Sequence, residues 1–285
     1  MSIKDVLLHA MLKNSLHYFV LILILASTGC SKFSKIQKKG SFEEKFVAAQ
    51  EYFEKKDYYR SGALYEDLLP LSPGRKEAET IRINYAYTQF YQKFYEMSSY
   101  YFRKYTETYP RSTKVVEAHY MHGVSLYKMS PKWNLDQSHT QQAIDVMQEF
   151  LNTYPRSEFK EKCNHMINEM QVKLETKAFN HALTYHKIGY YRSAVVASES
   201  FRKNFPDSQY NEIMAFKKVV AQYELAEMSI KSVRKDGKVI PLKHNRYIVA
   251  QKYYLEFVDK YPESKFRKEA ENLYEDILKE LKSFK

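Results

Sequence analysis

The chain has 285 residues and a formal charge of +11, with only 7 Gly, 8 Pro and 2 Cys. So few breakers over that length suit long helices and exclude a meander of short strands. The basic balance leaves an anionic membrane surface and nucleic acid both open, but Lys and Arg alternate with Glu and Asp throughout and no nucleic-acid motif is present.

Residues 1–17 carry Lys4 and Lys13 against Asp5, and an apolar run follows from Tyr18 to Ala26. That run is too short to span a membrane comfortably and has the proportions of a signal-peptide core. It ends at Ser27-Thr28-Gly29-Cys30. This ending resembles the bacterial lipoprotein box, with Ser27 where the box usually has Leu. The resemblance implies that residues 1–29 are a cleaved lipoprotein signal peptide and that the Cys30 thiol is acylated. Residues 30–41 are then a lipidated, flexible, basic tether that approaches anionic head groups. The competing reading is a buried cysteine at the end of an uncleaved anchor helix. Ser31, where inner-membrane retention uses Asp, implies the outer membrane by the same resemblance. Cys163 falls in a predicted helix and has no partner once Cys30 is lipidated, so no disulfide is expected.

From residue 42 one phrase recurs: Tyr105 to Ser112, Phe150 to Ser157, Phe201 to Ser208 and Phe257 to Ser264 each read large-x-x-x-aromatic-Pro-x-Ser, and a degenerate first copy ends at Ser72-Pro73. Twelve residues before each proline stands a small residue: Ser61, Ser98, Ala143, Ala194 and Ala250. Five before it stands a large one: Leu68, Tyr105, Phe150, Phe201 and Phe257. These spacings share one helical face. The proline stops the helix, and the serine after it is placed to cap the next one. A second small residue precedes the first by twelve in Ala49/Ser61, Ala86/Ser98 and Ala182/Ala194. The pattern resembles a tetratricopeptide array. It predicts an all-α, tetratricopeptide-type α-α superhelix of about five helix pairs, in which each pair needs its neighbours to bury its apolar face.

In chain order, the first pair is predicted near 43–56 and 58–70, and the second near 76–92 and 95–108. The third has Gly123 in the small position, then an insertion over Lys128–His139 containing Trp133, the one Trp of the chain. That loop is either functional or a cover for helix ends. One or two long helices follow from Ser157 to about Ile188. They separate an N-terminal half at 42–155, holding units 1–3, from a C-terminal half at 156–285, holding units 4 and 5 and a capping helix near 264–282. A second insertion, Ser232–Asn245, carries the turn signal Asp236-Gly237 and suggests a small hairpin.

No phosphate loop, nucleophile elbow or cysteine-pair metal motif is present, so no catalytic residue and no metal site is assigned. His119 and His122 have ligand spacing but lack a third ligand, and a groove or surface role fits better. Glu43, Glu44, Glu77 and Glu79 read as solvated acids at helix starts.

The lipoprotein box, the five units and the long helix after unit 3, with Tyr120-Met-His-Gly123 and Trp133-Asn-Leu-Asp-Gln137, together resemble the BamD family of outer-membrane assembly lipoproteins. The resemblance implies a non-enzymatic periplasmic scaffold, lipid-anchored to the outer membrane, within the β-barrel assembly (BAM) complex. Its partners would be a BamA-type barrel subunit, docked by the C-terminal half, and unfolded outer-membrane proteins. It implies no cofactor beyond the covalent lipid on Cys30. The residue pattern puts Gln50, Phe53, Tyr87, Phe90, Tyr91, Tyr120, Val124 and Tyr127 on the concave side, as a groove for an aromatic-ended extended peptide or as core packing, with Trp133 as a loop contact. The rival class is a periplasmic tetratricopeptide lipoprotein that coordinates cell-wall or cell-division enzymes.

Overall fold

The computed structural model describes residues 32–235 and 238–284; the signal peptide expected over 1–29, Cys30 and the Asp236-Gly237 turn lie outside them. In chain order come α1 (helical over 32–39), α2 (Phe42–Glu54), α3 (Tyr58–Leu68) with a 3₁₀ turn at Leu69–Leu71, α4 (Ala78–Tyr91), α5 (Tyr95–Thr108), α6 (Val115–Met129) and α7 (Ser138–Thr153). Then come α8 (Lys160–Lys187), α9 (Tyr191–Asn204), α10 (Asn211–Glu227), the strands β1 (Val233–Lys235) and β2 (Lys238–Ile240), α11 (Leu242–Lys260) and α12 (Arg267–Ser283). Among the described residues the architecture is all-α apart from this hairpin, and α2 to α11 form five tetratricopeptide-type pairs followed by α12. The residues fall into two compact units. The first runs to Ser130 and resumes at Ser138–Ile167; the second takes Pro131–Gln137 and everything from Asn168 onward. The division lies inside the continuous helix α8, not at the 155/156 boundary expected from the repeats.

The small residues make the pairs possible. Ala49, Ser61, Ala86, Ser98, Ala143 and Ala250 are all fully buried. Ser61 Oγ donates to the Ala49 carbonyl at 2.9 Å, across the first pair, and Ser98 Oγ lies 3.0 Å from Ser125 Oγ, between α5 and α6. A β-carbon on Gly123 would meet Met147 Cγ at 3.1 Å, so α6 and α7 approach closely because that position is bare. The large residues of the phrase, Leu68, Tyr105, Phe150, Phe201 and Phe257, are each at most 1% exposed. Burying one such side chain stabilises by about 1.5–3 kcal/mol.

The helix stops behave as the prolines require. Tyr109, Phe205 and Tyr261 leave helical geometry (φ −125°, −129° and −132°), and each N–H returns to the carbonyl four residues back. The serines correct an expectation. They do not cap the following helices, which start with no side-chain cap at Lys114, Tyr210 and Phe266. Each hydroxyl instead closes the turn ahead of the helix, accepting the N–H two residues on in Ser112, Ser157, Ser208 and Ser264. Three of them also donate to a glutamate of the preceding first helix: Ser112 to Glu79 (2.5 Å), Ser208 to Glu175 and Ser264 to Glu212 (2.6 Å). Glu79 is therefore not a solvated acid. It accepts from Ser112 and from Tyr105 (2.7 Å), and these bonds hold its carboxyl below the ordinary carboxylate range.

Residues 32–39 also depart from the expected flexible tether. Phe33 and Ile36, three apart on α1, pack against the core around Ala49, Leu64 and Tyr65. Phe33 meets Tyr52 edge-on at 5.8 Å, and the Arg60 guanidinium lies over both rings. The physical reason is the array itself: the first pair has no preceding repeat to cover its apolar face, so α1 covers it. The hairpin is antiparallel, pairing Val233 with Ile240, Arg234 with Val239 and Lys235 with Lys238.

Candidate functional site

In the first unit the turns inside the pairs share one design. Lys56 and Lys93 adopt left-handed geometry (φ 59° and 67°) and let the second helix start at an aromatic residue, Tyr58 or Tyr95. Those two rings bridge the aromatic ends of the first helices. Phe53 packs edge-on to Tyr58 (5.6 Å), Tyr58 stacks on Tyr91 (4.3 Å, 20° between planes), and Tyr91 runs parallel to Tyr87 at 6.0 Å. Phe90 joins through Tyr91 and Tyr95 at 5.7 and 5.5 Å. A continuous row of rings therefore runs from the first pair into the second. Tyr58 and Tyr95 were missed by the sequence reading, although their shared place two residues after the left-handed turn could have marked them.

The rings differ in availability. Tyr91 is 48% exposed. Tyr87 is half-buried: it meets the buried Phe102 edge-on at 4.9 Å, its hydroxyl donates to Glu117, and burial pushes its phenol upward. Val124 is buried in α6 at 8% exposure, which favours the packing alternative. Tyr120 belongs to another neighbourhood, stacked on Phe159 at 4.2 Å and 7°. Tyr127 is half-buried, with Lys128 Nζ 5.6 Å from its ring centre, and Gln50 is half-buried on α2. The structure thus brings Phe53, Tyr87, Phe90 and Tyr91 together and does not join Tyr120 to that row by ring contact.

Beside the row, α5 gives up a polar cap. Asp57 accepts the Arg60 N–H at the start of α3, whereas the equivalent Phe94 of α5 has no cap bond and is 56% exposed. A polar cap is worth about 1 kcal/mol. α9 starts in the same way at Tyr190, uncapped and 63% exposed.

In the second unit the loop 131–137 holds a fixed shape. Gln137 is buried and donates to the carbonyls of Lys132 (2.8 Å) and Leu135 (3.1 Å), and Lys177 Nζ donates to Leu135 O (2.7 Å). Trp133 and Leu135 stay 41% and 52% exposed on it.

The histidines serve structure. His122 Nδ1 is 2.8 Å from Ser99 Oγ, and burial pulls its pKa down to about 4. His119 lies edge-on to Phe150 and Tyr154, and burial lowers it too. Cys163 is fully buried, which pushes its thiol up to about 11. Among the described residues no group of His, Cys, Asp and Glu could hold a metal ion, and no helix is long and apolar enough to cross a membrane.

No curated protein matches the chain. Among solved structures, a tetratricopeptide repeat protein from Parabacteroides merdae ATCC 43184 is similar over 85% of this chain and 97% of its own, at 12% identity and a TM-score of 0.34. Residues 38–236 match the family YfiO, described as "Outer membrane lipoprotein". The chain belongs to the YfiO family of outer membrane lipoproteins.

Proposed function

We propose that this chain is a non-enzymatic scaffold of the BAM complex, held by lipid on Cys30 at the periplasmic side of the outer membrane. Its N-terminal half receives an extended, aromatic-ended segment of unfolded outer-membrane proteins, and its C-terminal half docks a BamA-type barrel subunit. The observation that supports this most is the ring row Phe53–Tyr58–Tyr91 with Phe90, in which Tyr91 is half open to solvent, in a member of an outer membrane lipoprotein family. Tyrosine and phenylalanine faces give large contact area at little entropic cost, and ring-on-ring packing adds about 0.5–1.5 kcal/mol per pair. An extended peptide carrying a terminal aromatic side chain fits such a surface. In the second unit Trp133 and Leu135, on their pinned loop, offer a compact apolar contact of the kind that anchors protein interfaces.

Affinity purification of the chain from solubilised membranes tests the reading. Recovery of a large barrel protein with periplasmic domains supports it. Recovery of peptidoglycan synthases or hydrolases, with no barrel protein, rejects it in favour of a cell-wall scaffold.

A further inference from the structure

The turns inside the first, second and fourth pairs are the same turn. Each places one residue in left-handed geometry, and the N–H of the next residue returns to a carbonyl five positions back. Asp57 donates to Tyr52, Phe94 to Gln89 and Tyr190 to Tyr185, all at 2.9 Å. Such helix endings favour glycine, whose missing β-carbon removes the strain of positive φ. In the second unit the left-handed residue is Gly189 (φ 77°). A β-carbon added there would meet nothing within 4 Å, so glycine at that position serves the backbone alone. In the first unit the same position is lysine both times, Lys56 at 59° and Lys93 at 67°. Strain of this kind is retained where the side chain has a use. Charge at the helix end does not demand it in α2, where Lys55 already stands at the cap, 3.8 Å from Glu51.

The two lysines belong to one neighbourhood. Lys56 lies two residues before Tyr58 and Lys93 two after Tyr91, and these rings are the pair stacked at 4.3 Å. Gln92 fastens the two turns together by donating to the Tyr58 carbonyl at 3.1 Å. Both lysines are exposed, and Tyr91 is half open. Asp57, the acid beside Lys56, is occupied by Arg60 at 2.7 Å. This end of the ring row therefore offers two ammonium groups on long flexible stems, a charge suited to a carboxylate. A carboxyl-terminal aromatic residue carries its ring and its carboxylate on neighbouring carbons. Laying that ring on Tyr91 brings the carboxylate to the turns.

We propose that Lys56 and Lys93 read the free terminal carboxylate of a bound aromatic-ended segment, so that the site selects chain ends over internal aromatic stretches. The proposal rests on the client-binding reading of the ring row and specifies what that row recognises.

The test is fluorescence anisotropy of the full chain in detergent at low salt. The probes are two labelled peptides of alternating apolar and polar residues ending in phenylalanine, one a free acid and the other its amide. Exposed lysine–carboxylate pairs contribute up to about fivefold each, so the wild type should bind the acid about tenfold more tightly than the amide. Added salt should narrow that gap. Lys56→Gly/Lys93→Gly should bind both peptides alike, at the affinity the wild type has for the amide. It should also unfold at a higher urea concentration, which separates a lost contact from a damaged fold. Lys56→Arg/Lys93→Arg should keep the preference for the acid. Lys76→Gln/Lys104→Gln removes the same charge elsewhere in the first unit and should leave the preference intact. Equal wild-type affinity for acid and amide overturns the proposal alone and leaves the ring row standing. A preference that survives in the glycine variant, or disappears in the Lys76/Lys104 variant, overturns it too. Failure of the wild type to bind either peptide overturns the ring-row reading and the proposal with it.

Discussion

Tyr87 and Tyr91 are four apart on one helix, and their contrast decides which ring is the better probe of the proposed client binding. Tyr87 is packed on Phe102 and bonded to Glu117, so Tyr87→Ala should cost about 2–4 kcal/mol of stability in urea unfolding. Tyr91 is half exposed, and Tyr91→Ala should cost less than about 1 kcal/mol, which makes it the clean probe of binding. His122 sets a pH dependence. Its folded pKa lies below the unfolded value near 6.5, so the unfolded chain binds the proton first and stability rises with pH between about 4 and 6.5. Acidification through that window should remove about 3 kcal/mol, and His122→Gln should flatten that slope in urea melts run at successive pH values. A slope unchanged in the variant would show that another group carries it.

At the scale of the helix pair, the serine–glutamate bond joins the turn after one helix to the helix before it. Glu79→Ala removes the acceptor of both Ser112 and the buried Tyr105 and should cost about 1–3 kcal/mol, read by chemical denaturation. Because the folded Glu79 carboxyl is lowered, this contribution is present above the unfolded carboxylate pKa and is lost as pH falls through the folded one. The left-handed turns give the opposite sign. Lys93 at φ 67° carries a strain of about 1–2 kcal/mol that glycine lacks. Glycine's greater freedom in the unfolded chain offsets about 0.5–1 kcal/mol. Lys93→Gly should therefore stabilise by about 0.5–1 kcal/mol, and a loss of stability would contradict the turn assignment.

The pairs were legible because one local pattern, small then large then proline, encodes them: the small and large positions are buried, and the exposed prolines end the helices. The serine–glutamate bond was not, because Glu79 meets Tyr105 and Ser112 from 26 and 33 residues away. Nor was α1, whose lysines read as a tether while Phe33 and Ile36 were the residues that mattered. For the rings, spacing identified the helix face but not the depth. Whether a tyrosine fills the core or meets solvent depends on the neighbouring helix, as Phe102 and Glu117 decide for Tyr87.

For the molecule as a whole, two compact units share α8, and each presents apolar surface of its own: the ring row in the first, Trp133 and Leu135 in the second. A member of an outer membrane lipoprotein family so built is suited to hold proteins, and the function rests on whether the ring row holds a client. The most direct measurement is a binding titration of an extended, aromatic-ended peptide from an outer-membrane barrel protein against the wild type and Tyr91→Ala. The account predicts saturable binding that weakens by about tenfold in the variant, with unfolding midpoints nearly the same. Equal affinity for both proteins, or no binding to the wild type, would contradict it.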